Sequence, residues 1–121
     1  MHTQYIAGTI FQVPFEIFLS PISVDAHLEI REDVLFLNGV GLFRFIEGKP
    51  VERDWTLLIV PLPEIPMVLS VDQKDALVHV IDQTKERALV RNGAQISITL
   101  FKNPFQIIEI GVYRFTMIRL S

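Results

Sequence analysis

Val24-Asp25-Ala26-His27-Leu28-Glu29-Ile30-Arg31 carries an apolar side chain at every even position and a polar one at every odd position. That is the period of a strand buried on one face, because successive side chains of a pleated backbone point to opposite sides. Wound as a helix, the same stretch would scatter Leu28 and Ile30 around the axis and leave a weak apolar stripe. The reading is a half-buried strand with His27 on its solvated side.

The neighbouring segments follow suit. Residues 34–37 and 40–46 are rich in Phe, Val, Leu and Ile and are separated by Asn38-Gly39, a turn or bulge signal. Glu47-Gly48-Lys49-Pro50 interrupts the pattern, and 51–60 resumes it through Trp55 and Leu57-Leu58-Ile59, which predicts a hairpin. Pro61, Pro63 and Pro66 each lack a donor N–H, so the segment reads as an extended loop or sheet edge through which neither a central strand nor a helix passes.

Residues 73–91 admit two readings. Asp72 and Asp75 could cap a helix with Leu77, Ile81, Thr84 and Ala88 on one face. Alternatively, Leu77-Val78-His79-Val80-Ile81 and Ala88-Leu89-Val90 are strands around a polar turn at 82–86. The β-branched content favours strands. Asn92-Gly93 tolerates the positive φ of a type I′ turn and predicts a hairpin between 88–90 and 95–100. Lys102-Asn103-Pro104 marks another turn, and 106–110 leads through Gly111 into a last strand over 112–120. Gly111-Val112-Tyr113-Arg114-Phe115 resembles the glycine-x-tyrosine-x-phenylalanine opening of a late strand in many β-sandwiches, and it implies architecture alone.

The expected fold is therefore all-β: one domain over residues 1–121, a two-layer β-sandwich of about seven to nine mostly antiparallel strands. The alternatives are a small flattened β-barrel, or the same sandwich with one helix within 73–91.

Composition narrows the function. With 121 residues there is room for one core, yet half of the residues are hydrophobic. Charges, prolines and glycines interrupt every apolar stretch well short of the ~20 residues of a transmembrane helix. No signal peptide is visible, since Met1-His2-Thr3-Gln4-Tyr5 lacks a basic start, so a cytoplasmic location is expected. The absence of cysteine removes disulfides, thiolate nucleophiles and Cys-based metal sites. A net charge of −3 argues against nucleic acid as a partner.

No Gly-x-Ser-x-Gly, His-Glu-x-x-His or phosphate-binding glycine loop is present. His2, His27 and His79 do not share a ligand spacing, so neither a metal nor a cofactor is expected. His79 reads as a hydrogen-bonded core or rim histidine. The groups Glu29/Glu32/Asp33, Glu52/Asp54 and Asp72/Asp75 lie at presumed turns or exposed faces, where they read as solvated carboxylates and not as a catalytic pair. The candidate ligand-binding cluster is Arg44, Arg53 and Trp55, and its meaning depends on hairpin register. An even loop sets Arg44 opposite Arg53 with Trp55 diagonal, suited to an anion or a sugar ring; an odd loop sets Arg44 opposite Asp54 and Phe43 opposite Trp55, satisfied without any ligand. The second register is the more self-consistent.

Segments 34–46, 56–62 and 106–120 carry apolar residues on both faces, and something must cover the second one. The expectation is a non-catalytic interaction or assembly protein, a homo-oligomer burying those faces against itself or another protein. The alternatives are a carrier of a small apolar ligand in a barrel cavity and an enzyme with dispersed acid and base residues.

Overall fold

In the computed structural model, which describes residues 2–50, 55–81, 87–90, 96–99 and 105–120, alternate residues of the first two strands turn toward one interior. These strands are β1 (His2–Ile10) and β2 (Val13–Ile22), paired antiparallel with Ile10 opposite Val13. Phe15, Ile17 and Leu19 of β2 are fully buried, and Ile6 and Ile10 of β1 lie on the same side. Phe11 (φ 51°) and Gln12 (φ 68°) form the whole connection, a type I′ arrangement built without glycine or asparagine.

The alternating stretch at 24–31 is a strand only over β3 (Leu28–Arg31). Before it the chain turns, with the Ala26 N–H bonded to Ser23 O and the His27 N–H to Asn38 Oδ1. Glu32-Asp33, again both at positive φ, leads into β4 (Val34–Leu37), and Asn38-Gly39 leads into β5 (Val40–Glu47) as its turn chemistry predicts. A bulge places Leu35 opposite Phe43 but Phe36 opposite Gly41, so one extra residue enters β5 and both Leu42 and Phe43 are buried.

Strand β6 (Thr56–Pro61) pairs with β5 and ends in proline. Pro61 costs no ladder bond on the other side, because β9 (Ile96–Thr99) reaches only as far as Ile59. A short helix, α1 (Ile65–Leu69), follows, and it corrects the extended reading of this segment. Pro66 sits in its first turn, where a missing N–H has no helical partner to lose. Ile65 and Leu69, four residues apart, bury one face against β5.

Between 73 and 91 the structure has strands: β7 (Val78–Ile81) pairs with β8 (Arg87–Val90). The hairpin expected at Asn92-Gly93 requires correction. Those two residues lie outside the described ones, and the strands on either side pair elsewhere, β8 with β7 and β9 with β6. Finally β10 (Phe105–Ile110) and β11 (Tyr113–Arg119) form a hairpin over Gly111-Val112, with Gly111 at φ +58°.

The result is a two-layer sandwich of antiparallel sheets, one ordered β1-β2-β11-β10-β7-β8 and the other β3-β4-β5-β6-β9. Among the described residues there are eleven strands against the expected seven to nine, because the N-terminal hairpin adds two. Between the layers Phe43 meets Phe115 edge-on at 5.1 Å, surrounded by Ile17, Leu19, Leu35, Ile59 and Ile108. No described helix is long and apolar enough to cross a membrane.

Candidate functional site

The Arg44, Arg53 and Trp55 cluster takes neither expected register. Arg44 lies opposite Val60 on one side and Val34 on the other, exposed on the outer face of the five-stranded sheet. Trp55 precedes β6 and packs against Phe15 of the other sheet, ring centroids 6.0 Å apart. Arg53 lies outside the described residues.

The other titratable candidates are dispersed. Asp72 Oδ1 accepts the Asp75 N–H at 2.7 Å, so this pair closes a turn. His27 is exposed, and His79 lies half-buried on the outer face of the six-stranded sheet, opposite Glu109. Glu109 in turn receives Arg114 Nη2 at 3.0 Å. Lys74, Asp75, Leu77, His79, Glu109 and Gly111 line an open groove of about 310 Å³. It mixes both charge signs, and its central carboxylate already has a guanidinium partner. Among the described residues no three acidic or histidine side chains converge as a metal site would require.

What the structure does bring together is apolar surface. Cross-strand partners share a face, so the outer face of the six-stranded sheet carries a row running Tyr5, Phe18, Thr116 and Ile107 across β1, β2, β11 and β10. Ile118 stands beside it, opposite Glu16. Tyr5 is 51% exposed, and its ring lies 5.0 Å from that of Phe18. The Tyr5 hydroxyl is hydrogen-bonded to the Glu16 carboxylate, which holds the phenol pKa above its ordinary value. This face also carries Glu16, His79, Glu109 and Arg114, of which Arg114 and Glu109 neutralise each other.

The outer face of the five-stranded sheet differs. Val34, Phe36, Ile46, Leu58 and Val60 are interleaved with Glu29, Arg31 and Arg44. The Arg31 guanidinium covers the Phe36 ring at 4.6 Å.

The apolar row ends at β1, an edge strand of nine residues with no Asp, Glu, Lys, Arg or Pro. Sheet edges left bare in this way are unusual, since natural edges are commonly shortened or charged to prevent pairing. Sequence reasoning expected the covered faces within 34–62 and 106–120. Those ranges include Ile107 and Ile118 but not Tyr5 and Phe18, whose strand face the alternation of Phe15, Ile17 and Leu19 already marks. No protein-family model, curated protein or solved structure matches the chain.

Proposed function

We propose that this protein is a non-catalytic interaction and assembly module that buries the outer face of its six-stranded sheet, together with the β1 edge, against protein. The observation that carries the reading is the row Tyr5, Phe18, Thr116 and Ile107 across four neighbouring strands, apolar at three of them, bordered by Ile118 and continuous with an edge strand that holds no Asp, Glu, Lys or Arg. An apolar patch adjoining unpaired backbone is the kind of surface that association removes from water, and each Å² of it contributes ~25 cal/mol. The five-stranded sheet is the weaker candidate because the Arg31 guanidinium already covers Phe36 and its edge strand β3 carries Glu29 and Arg31. Phe43 and Phe115 occupy the space between the layers, so no observation among the described residues favours an apolar-ligand cavity.

Light scattering across the micromolar range tests this. The wild type is expected to run as an oligomer, and Ile118→Glu to raise its dissociation constant at least about tenfold, because a buried unpaired carboxylate costs more than ~1.4 kcal/mol. Glu29→Lys should leave the mass unchanged. A folded wild type that stays monomeric throughout would overturn the reading.

A further inference from the structure

We infer that the β1 edge pairs with β1 of a second copy of this chain, antiparallel about a two-fold axis at Ala7, so that two six-stranded sheets join into one. The inference rests on the assembly reading above and names its partner and register.

The hairpin determines which backbone groups are free. A two-residue turn at Phe11-Gln12 makes Ile10 and Val13 the hydrogen-bonded closing pair. Hydrogen-bonded and non-hydrogen-bonded pairs alternate along an antiparallel ladder, so Gly8, Ile6 and Gln4 also turn their N–H and C=O toward β2. Thr9, Ala7 and Tyr5 direct theirs away from the sheet, and β1 is the terminal strand of its sheet. Three outward donors and three outward acceptors are thus presented in line.

Register follows from two constraints. The β1–β2 ladder is regular only from Gln4 to Ile10, because the pairing shifts between His2 and Gln4. A second β1 related by a two-fold axis normal to the sheet keeps outer faces on the same side only if odd residues meet odd residues. Centring the axis on Ala7 uses the whole regular window. Ala7 then meets its own counterpart and Tyr5 meets Thr9 of the other copy, both as hydrogen-bonded pairs. On the inner face, Ile6 meets Gly8 of the other copy, a branched side chain beside a position with none.

Charge and size agree with a self-partner. The strand holds no Asp, Glu, Lys or Arg, so pairing it with itself sets no like charges face to face. The edge strand on the same flank, β3, is four residues long and carries Glu29 and Arg31. A nine-residue strand runs about 30 Å. With sheets packed ~10 Å apart the flank is roughly 20 Å thick, so two flanks would bury on the order of 1,200 Å², the lower bound of a stable interface. Tyr5 and Phe18 lie beside the junction, where the Tyr5 ring would pack next to Thr9 of the other copy.

The chain has no cysteine, so a single introduced thiol reports position without interference. Ala7→Cys is exposed and leaves the core untouched. Two such residues in a hydrogen-bonded pair would stand with Cα atoms ~5.5 Å apart, within disulfide reach. Thr9→Cys would be offset from its counterpart by four positions, more than ~10 Å and beyond reach. Under mild oxidation Ala7→Cys should give covalent dimer on the order of tenfold faster than Thr9→Cys. Ala7→Pro, which removes an outward N–H at an edge, should weaken the assembly. An oligomeric wild type in which both thiols cross-link equally slowly would overturn the β1 pairing while leaving assembly standing. A monomeric wild type would overturn both and leave this edge to a strand of a different protein.

Discussion

β1 and β3 lie against each other on one flank of the sandwich, a Cβ built on Gly8 falling 3.6 Å from Ile30 Cδ1, yet their edges are treated oppositely. β3 is four residues long, carries Glu29 and Arg31, and runs straight into Glu32-Asp33. β1 is nine residues long and carries no charge. Both contribute half-buried isoleucines to the same core, Ile30 and Ile6, so burial does not account for the contrast. Short, charged edges discourage pairing and long, uncharged ones permit it. Under the assembly proposed above, β1 is the edge open to pairing and β3 the one closed to it.

The contrast can be broken from beneath, because both edges are held by one core. Phe115 is 1% exposed and meets Phe43 across the layers, so Phe115→Ala should cost about 3–5 kcal/mol. That is a large part of the 5–15 kcal/mol typical of a domain. Amide hydrogen exchange should then show β1 and β3 losing protection together. Loss at β3 with β1 unchanged would mean that β1 draws its protection from an intermolecular partner and not from this core.

The turns that close the two hairpins sharpen the comparison. Phe11-Gln12 and Glu32-Asp33 both hold two non-glycine residues at positive φ, a conformation that side chains disfavour. Asn-Gly in place of Glu32-Asp33 should therefore stabilise the domain by about 1 kcal/mol, read as a higher denaturation midpoint. The same exchange at 11–12 should gain less, because Phe11 packs against the core and its loss offsets the relief. Equal gains at both sites would show that the Phe11 contact contributes nothing.

Those turns also explain how far the sequence could be read. The two-layer architecture was legible around 28–47, where alternation and Asn38-Gly39 agree with each other and with the observed pairing. The first hairpin was not, because Phe11-Gln12 carries no turn signal and Gln4 and Gly8 interrupt the apolar alternation of the inward face. Helix α1 was hidden by treating proline as a breaker everywhere, when its first-turn position is permitted. Asn92-Gly93 shows that local turn chemistry does not choose strand partners: β8 and β9 belong to different sheets. For the candidate site, Arg44 meets Val60 because β5 and β6 are joined by a longer connection than either assumed register, and loop length is not encoded in strand patterning. The surplus of apolar residues was legible as a quantity, and its position required the register of β1 and β2.

The smallest expected effect concerns the polar tie between Tyr5 of the bare edge and Glu16. Tyr5 donates its hydroxyl to Glu16 on the neighbouring strand, and the pairing favours the neutral phenol, raising its pKa in the folded chain above the ordinary phenol value of about 10. The unfolded chain therefore loses this proton first as pH rises. Between the two pKa values the folded state binds more protons than the unfolded state, so stability falls with pH in that window. The contribution is fully present below pH ~10 and is lost as pH climbs through the folded pKa. Tyr5→Phe lacks the hydroxyl and should show a shallower decline in denaturation midpoint above pH ~10, with little change in slope near neutrality. Glu16→Gln should flatten the same window, because the neutral amide lacks the charge that disfavours a phenolate. Matching slopes for wild type and Tyr5→Phe would remove the Tyr5–Glu16 tie from the account. The β1 edge would then be anchored to β2 by backbone and ring contacts alone.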